Sequence, residues 1–117
     1  MIARQLTGST AGRRTDDLAA YECALLSHRY DRFSSRDNYI AARDCLESAI
    51  ERNPNYPEAL SALSYVYGDG YLMGLADDDS SIDFLGEAQR LALMAVNLDP
   101  TSAGAQRQLA IAYFHKG

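Results

Sequence analysis

The chain has 117 residues, 47% of them hydrophobic and 23% charged, and its formal net charge is −5. This size suits one domain with a modest core. The acidic balance argues against nucleic-acid binding, because such proteins need a basic face to release counterions. No apolar run approaches the roughly 20 residues that span a bilayer, and residues 1–17 lack the apolar core of a signal peptide. We therefore expect a soluble, cytoplasmic protein that binds neither nucleic acid nor membrane.

The first helix is expected to follow a flexible leader or linker, residues 1–14, in which small, polar and basic side chains predominate. The predicted helical domain covers residues 15–117. Its first helix begins near Thr15, where a hydroxyl cap and two aspartates suit the positive end of the helix dipole. Apolar residues at helical spacing extend this helix to about Asp31; they are Leu18, Tyr21, Ala24, Leu25 and Tyr30.

The second and third predicted helices meet at a pair of prolines. Ser34 and Ser35 open the second helix, which ends before Pro54. The third helix starts at Pro57, since proline stops a helix elsewhere but suits its first position. Glycines at positions 68 and 70 are expected to end the third helix, and residues 68–81, rich in glycine and aspartate, form a predicted loop.

Two more helices are predicted after this loop. Asp79 or Ser80 is expected to cap the fourth helix, with Asp83 at the capping-box spacing from Ser80. This helix continues to Asn97, and a fifth helix follows Pro100. No segment shows the alternation of a half-buried strand, so the pattern predicts an all-α protein of about five helices.

A repeat relates two pairs of these helices. Seven pairs of residues share one offset of 46 positions: Ala42 and Ala88, Leu46 and Ala92, Ala49 and Ala95, Pro54 and Pro100, Ala59 and Ala105, Leu63 and Leu109, and Tyr67 and Tyr113. The corners at residues 53–56 and 99–102 are therefore predicted to be the same structural turn, used twice.

The spacing of small and large residues resembles the tetratricopeptide repeat. The first-helix positions of that motif are matched by Leu60, Leu63, Ser64 and Tyr67, and second-helix positions by Ala88, Ala92 and Ala95. The repeats here are longer than the 34 residues of the family and lack its tryptophan. They look like the lengthened repeats in C-terminal regions of bacterial adenylate cyclases and winged-helix regulators. The resemblance implies an α-α superhelix of antiparallel helix pairs, with repeats at 18–54 and 55–100 and a half repeat at 101–117.

The resemblance also implies a concave surface, formed by the first helix of each repeat, that binds a protein or peptide. The residues expected in this groove are Tyr21, His28, Glu58, Ser61, Tyr65, Arg107, Gln108 and Ile111. Some members of the family clamp a C-terminal carboxylate with basic and amide side chains. The matching positions here hold Ala24, His28, Ala62, Gly104 and Gln108, so we expect a mainly apolar groove with aromatic character instead.

The last helix has no predicted second helix to cover its apolar side. The expected self-association edge consists of Leu109, Ala112, Tyr113 and Phe114. We expect both that the natural protein continues past Gly117 and that this edge forms a homodimer. The function predicted is a protein-interaction or scaffold segment of a larger bacterial regulatory protein. The alternatives are a self-association module without a peptide ligand and, more remotely, an accessory fragment of an enzyme.

Catalytic and metal-binding chemistry is not predicted. His28 and His115 have no partner at ligand or catalytic spacing. The aspartates at 77–79 lack the alternating ligands and distal glutamate of an EF-hand loop. Cys23 and Cys45 are interpreted as reduced core thiols, because free cysteine is among the most buried residue types. The sequence thus predicts no enzymatic activity, no cofactor and no metal site.

Overall fold

The structure, a computed structural model, describes residues 18–76 and 82–116, which form five α-helices and contain no strand. The helices are α1 (18–32), α2 (Arg36–Arg52), α3 (Pro57–Leu72), α4 (Phe84–Leu98) and α5 (Ala103–Lys116). The predicted leader, the predicted start at Thr15 and the predicted cap at Asp79 or Ser80 lie outside the described residues. Links of three or four residues join α1 to α2, α2 to α3 and α4 to α5 and make these neighbours antiparallel. The described residues form an all-α superhelix of helix pairs.

The third helix is the centre of this arrangement. It packs against α2, α4 and α5, and α4 packs against α5. On its remaining side α3 meets α1, because the Tyr30 hydroxyl donates a hydrogen bond of 2.6 Å to the Asp69 carboxylate. The odd-numbered helices α1, α3 and α5 therefore lie side by side on one face of the molecule, with α2 and α4 behind them.

The two proline corners have nearly the same backbone geometry. Asn53 caps α2 with φ −140° and ψ 87°, and Asp99 caps α4 with φ −142° and ψ 78°. In each corner the cap N–H donates to the carbonyl of an alanine four residues earlier. Proline follows each cap because it cannot continue a helix. The equal corners set each following helix antiparallel to the one before it.

The core combines fully buried aromatic rings with small residues. Tyr30 and Tyr39 have no exposed surface, and their ring centroids lie 5.9 Å apart. Alanines at positions 42, 92 and 95 are also fully buried, which lets helix axes approach closely. Ser64 is buried as well, and its hydroxyl donates to the Ala88 carbonyl at 2.6 Å, so this small residue joins α3 to α4 by a hydrogen bond in addition to packing.

The prediction that Gly68 and Gly70 end the third helix is wrong. Both glycines are buried inside α3, where neighbouring side chains take the space of a Cβ. A Cβ on Gly70 would overlap the ring of Tyr39, and one on Gly68 would touch the Ala88 Cβ at 3.7 Å. The helix instead ends at Leu72 with Met73 as its C-cap, so the predicted loop begins after this cap. Gly74 follows with a φ of +74°, a conformation that favours glycine.

The fourth helix also begins later than the sequence pattern predicts. Its N-cap is Asp83, whose Oδ1 accepts a hydrogen bond of 3.0 Å from the Gly86 N–H. The carboxylate satisfies one of the backbone donors that every helix leaves free at its start. The caps of α2 and α5 are serines: Ser35 accepts from the Asn38 N–H, and Ser102 accepts from the Ala105 N–H, both at 3.1 Å.

The prediction of two reduced thiols is corrected by a disulfide between Cys23 of α1 and Cys45 of α2. The Cα atoms of the pair lie 5.4 Å apart, within the range that a disulfide bridges. The two cysteines lie equally far before and after Ser34 in the sequence. An antiparallel pair that turns at this residue brings the two cysteines side by side.

Candidate functional site: the groove between α1, α3 and α5

A concave groove of about 480 Å³ lies along the three odd-numbered helices. Six of the eight residues predicted for a concave surface line it: His28, Glu58, Ser61, Tyr65, Arg107 and Gln108. Tyr21 lies in an adjoining concavity of about 340 Å³, which shares Glu58 and Ala62 with the groove. Ile111 lies beyond the other end, in a small gap next to Tyr65 and Gln108.

The middle wall of the groove is one face of α3. Glu58, Ser61, Ala62 and Tyr65 line it, and their spacing of three and four residues places them in a row on one helix surface. Pro57 at the start of α3 belongs to the same wall. The proline corner therefore fixes where this wall begins, and the helical period fixes which side chains it presents.

Two carboxylates of the groove were not predicted from the sequence. Asp31 lines it from the end of α1, and Asp99 lines it from the corner before α5. Asp31 follows His28 by three residues, so the helical period could have identified it. Asp99 belongs to a cap and could be assigned to the groove only from the path of the corner. With Glu58, the described residues that line the groove include three carboxylates and one guanidinium, that of Arg107.

The α1 wall is tied to the α3 wall by Tyr65. Its hydroxyl donates to Oδ1 of Asp31 at 2.7 Å, and its ring meets the edge of the buried Tyr30 ring. Burial, and secondly the hydrogen bond to Asp31, raises the pKa of the Tyr65 phenol above its ordinary value. The phenol is protonated at neutral pH, as any tyrosine is, and remains so to a higher pH than an ordinary tyrosine. It therefore donates to the Asp31 carboxylate and holds it in place.

Gln108 connects the α5 wall of the groove to Ser64 of α3. Its side-chain amide donates to the Ser64 hydroxyl at 3.2 Å, and that hydroxyl in turn donates to the Ala88 carbonyl. Gln108 is one of the residues predicted to line the groove, and its amide group contacts Ser64 of α3. Gln108 therefore orders the wall of the groove.

One polar atom of the groove lining has no hydrogen-bond partner among the described residues. The Ser27 Oγ is buried and makes no hydrogen bond with any residue that the structure describes. Ser27 lines the groove next to His28. A buried hydroxyl without a partner is uncommon and costs free energy.

The predicted self-association edge is divided by the structure. Phe114 and Tyr113 are 83% and 51% exposed, whereas Ala112 is 3% exposed and Leu109 is half-buried. Ala112 therefore packs inside the chain and offers no surface to a second copy. The exposed part of this edge consists of Tyr113 and Phe114.

Within residues 18–76 and 82–116 there is no group of three or more His, Cys, Asp or Glu residues placed to hold a metal ion. Across the same residues, no helix has both the length and the apolar character needed to cross a membrane. No family model matches the chain, and neither a curated protein nor a solved structure gives a significant match.

Proposed function

We propose that this chain is a protein-interaction module of the tetratricopeptide-like kind, which binds an extended peptide segment in the groove between α1, α3 and α5. The observation that carries the proposal is the groove itself, a cavity of about 480 Å³ on the concave side of parallel helices. Peptide and ligand sites occur preferentially in such clefts between helices. The chain acts as an interaction segment of a larger bacterial regulatory protein and has no enzymatic activity of its own.

The supporting evidence is how the groove is built. Its walls are fixed by internal hydrogen bonds, from Tyr65 to Asp31 and from Gln108 to Ser64. A site that is ordered before binding loses less side-chain entropy when a ligand arrives. Ser61 and Ala62 are small, which leaves the middle of the groove open to a side chain of the bound segment.

The test is selection of a random dodecapeptide phage library on the immobilised full chain. We expect enriched peptides to bind the wild type, and to lose at least tenfold in affinity for Ser61→Trp, because an indole at this position fills the groove. Ser48→Trp is the matched control, since Ser48 is exposed on α2, away from the groove. Circular dichroism establishes that both variants fold.

Two outcomes would contradict the proposal. The first is the absence of any peptide enriched above a blank surface. The second is a set of enriched peptides that bind Ser61→Trp as tightly as they bind the wild type. In the second case the peptides would occupy a surface other than the groove.

A second candidate function is homodimerisation through α5. The observation in its favour is the exposure of two adjacent aromatic residues, Tyr113 and Phe114. Large exposed apolar side chains that adjoin one another often mark a contact with another chain. The molar mass in solution, measured by light scattering, should be that of a dimer for the wild type and of a monomer for the double variant Tyr113→Ser and Phe114→Ser. A monomeric wild type would exclude this function.

The cytoplasmic location predicted from the sequence is also a proposal, and the disulfide makes it testable. Disulfides are typical of oxidising compartments, and those found in the cytosol are usually transient or redox-sensing. A cytoplasmic chain should therefore have Cys23 and Cys45 reduced for much of the time. Rapid alkylation in the native cell followed by mass spectrometry would measure the reduced fraction, and a fully oxidised pair would contradict the cytoplasmic location.

A further inference from the structure

We infer that the segment bound in the groove between α1, α3 and α5 is a basic peptide, with arginine or lysine side chains next to an apolar residue. The inference rests on the proposed function, since it assigns a ligand class to the same groove. The inference starts from the charges of the described lining residues, which include the carboxylates of Asp31, Glu58 and Asp99 and one guanidinium, that of Arg107.

The carboxylates are placed at both ends of the groove. Glu58 lies in the first turn of α3, and Asp99 lies in the corner that precedes α5. Asp31 lies at the other end, near the C-terminus of α1, where Tyr65 holds it. An extended segment that follows the groove therefore passes a carboxylate at each end, and Ala62 lies in the wall between them.

Two of these groups are available to a ligand. Glu58 is exposed and forms no hydrogen bond or ion pair with any residue that the structure describes. Among the described residues, the Asp31 carboxylate accepts a hydrogen bond only at Oδ1, from the Tyr65 hydroxyl. Arg107, the one guanidinium of the lining, is likewise unpaired among the described residues and does not neutralise the carboxylates. A cationic side chain of a peptide would donate charge-assisted hydrogen bonds to the carboxylates of Glu58 and Asp31.

The remaining lining matches a peptide in other ways. The Tyr65 ring offers an aromatic face to an aliphatic or guanidinium group. The small side chains of Ser61 and Ala62 leave room beside this ring for a side chain of the segment. The inferred occupant is a separate basic segment, because the acidic lining of the groove attracts positive charge, whereas a second copy has a net charge of −5. Self-association through Tyr113 and Phe114 would take place outside the groove.

The test starts from the dodecapeptides selected on the full chain. We expect arginine and lysine to be enriched over their frequency in the unselected library, and aspartate and glutamate to be depleted. A fluorescent copy of the strongest peptide is then titrated with variants of the full chain. Glu58→Gln and Asp31→Asn should each weaken binding roughly two- to fivefold, as expected for a partly exposed ion pair.

Of the two matched control variants, one should tighten peptide binding and the other should leave it unchanged. Arg107→Gln should tighten binding about twofold or more, because it removes the charge that repels a basic peptide. Glu51→Gln, an exposed change of the same kind on α2, should leave affinity unchanged. Raising the salt concentration from about 50 mM to about 500 mM should weaken binding by the wild type more than binding by Glu58→Gln.

The outcomes separate this inference from the proposed function. Enriched peptides that lose binding to Ser61→Trp but contain no excess of arginine and lysine would overturn the basic ligand and leave the peptide groove standing. No enriched peptide at all would overturn both. A molar mass that shifts from dimer to monomer in Glu58→Gln and Asp31→Asn would show that a second copy occupies the groove, and would also overturn the inference.

Discussion

At the residue scale, three buried or partly buried tyrosines donate hydrogen bonds to carboxylates on neighbouring helices. Tyr30 of α1 bonds to Asp69 of α3, and Tyr65 of α3 bonds back to Asp31 of α1. The third tyrosine, at position 67, donates to a glutamate of α2. The reciprocal bonds between α1 and α3 fix the two helices that form adjacent walls of the groove.

The tyrosines give a prediction for the pH dependence of stability. Burial, and then the hydrogen bonds to the carboxylates, raises the pKa of Tyr30, Tyr65 and Tyr67 above the ordinary value of about 10. The folded chain retains these protons at a pH where the unfolded chain releases them, so the free energy of unfolding should fall as pH rises above about 10. Urea unfolding from pH 8 to pH 11 measures this, with Tyr67→Phe as a variant whose decline is shallower.

An absorbance titration of the tyrosines provides the control. In the folded chain these three phenols should ionise only at a pH where the helices unfold. Stability that stays constant above pH 10 would contradict the raised pKa values.

Two glycines of α3 give a second prediction at the same scale. Gly70→Ala should lower the free energy of unfolding by about 1–3 kcal/mol, because the added methyl group overlaps the buried ring of Tyr39. Gly68→Ala is the matched control, with a contact to Ala88 at an ordinary 3.7 Å, and should be neutral or stabilising by up to about 1 kcal/mol. Urea unfolding followed by circular dichroism compares the two. Equal effects would show that the close approach of Tyr39 to α3 is not present.

At the element scale, the position of α1 depends on the disulfide to α2 and on the contacts that Tyr30 makes with α2 and α3. Cys23 joins α1 to α2, and Tyr30 packs between α2 and α3. The same helix provides one wall of the groove through His28 and Asp31. A change that loosens α1 should therefore affect both stability and peptide binding.

The prediction at this scale concerns reduction of the disulfide. The bond closes a loop with a sequence separation of 22, for which the loss of chain entropy in the unfolded state corresponds to about 3 kcal/mol. A reducing agent should lower the free energy of unfolding by that amount, as measured by urea unfolding. The double variant Cys23→Ala and Cys45→Ala should be less stable and should not respond to the reducing agent. A wild type whose unfolding midpoint is the same with and without reductant would contradict the prediction.

At the scale of the whole molecule, the all-α superhelix was predictable from the sequence, because prolines and apolar spacing mark four helix boundaries well. The close packing was less predictable. Gly68 and Gly70 look like helix breakers in the sequence, and only the partner ring of Tyr39 shows that they are packing positions. The disulfide could be predicted only by knowing that the chain turns at Ser34 between α1 and α2. The place of the Asp99 carboxylate in the groove could be predicted only from the path of the second proline corner.

The central claim is that the concave side of α1, α3 and α5 binds a peptide. The most direct measurement is an NMR titration of the isotope-labelled full chain with the strongest peptide selected from the library. We predict that amide signals of groove residues such as His28, Ser61 and Arg107 shift with increasing peptide, while signals of exposed α2 residues such as Ser48 and Glu51 do not. Shifts confined to α2, α4 or the exposed end of α5 would contradict the claim.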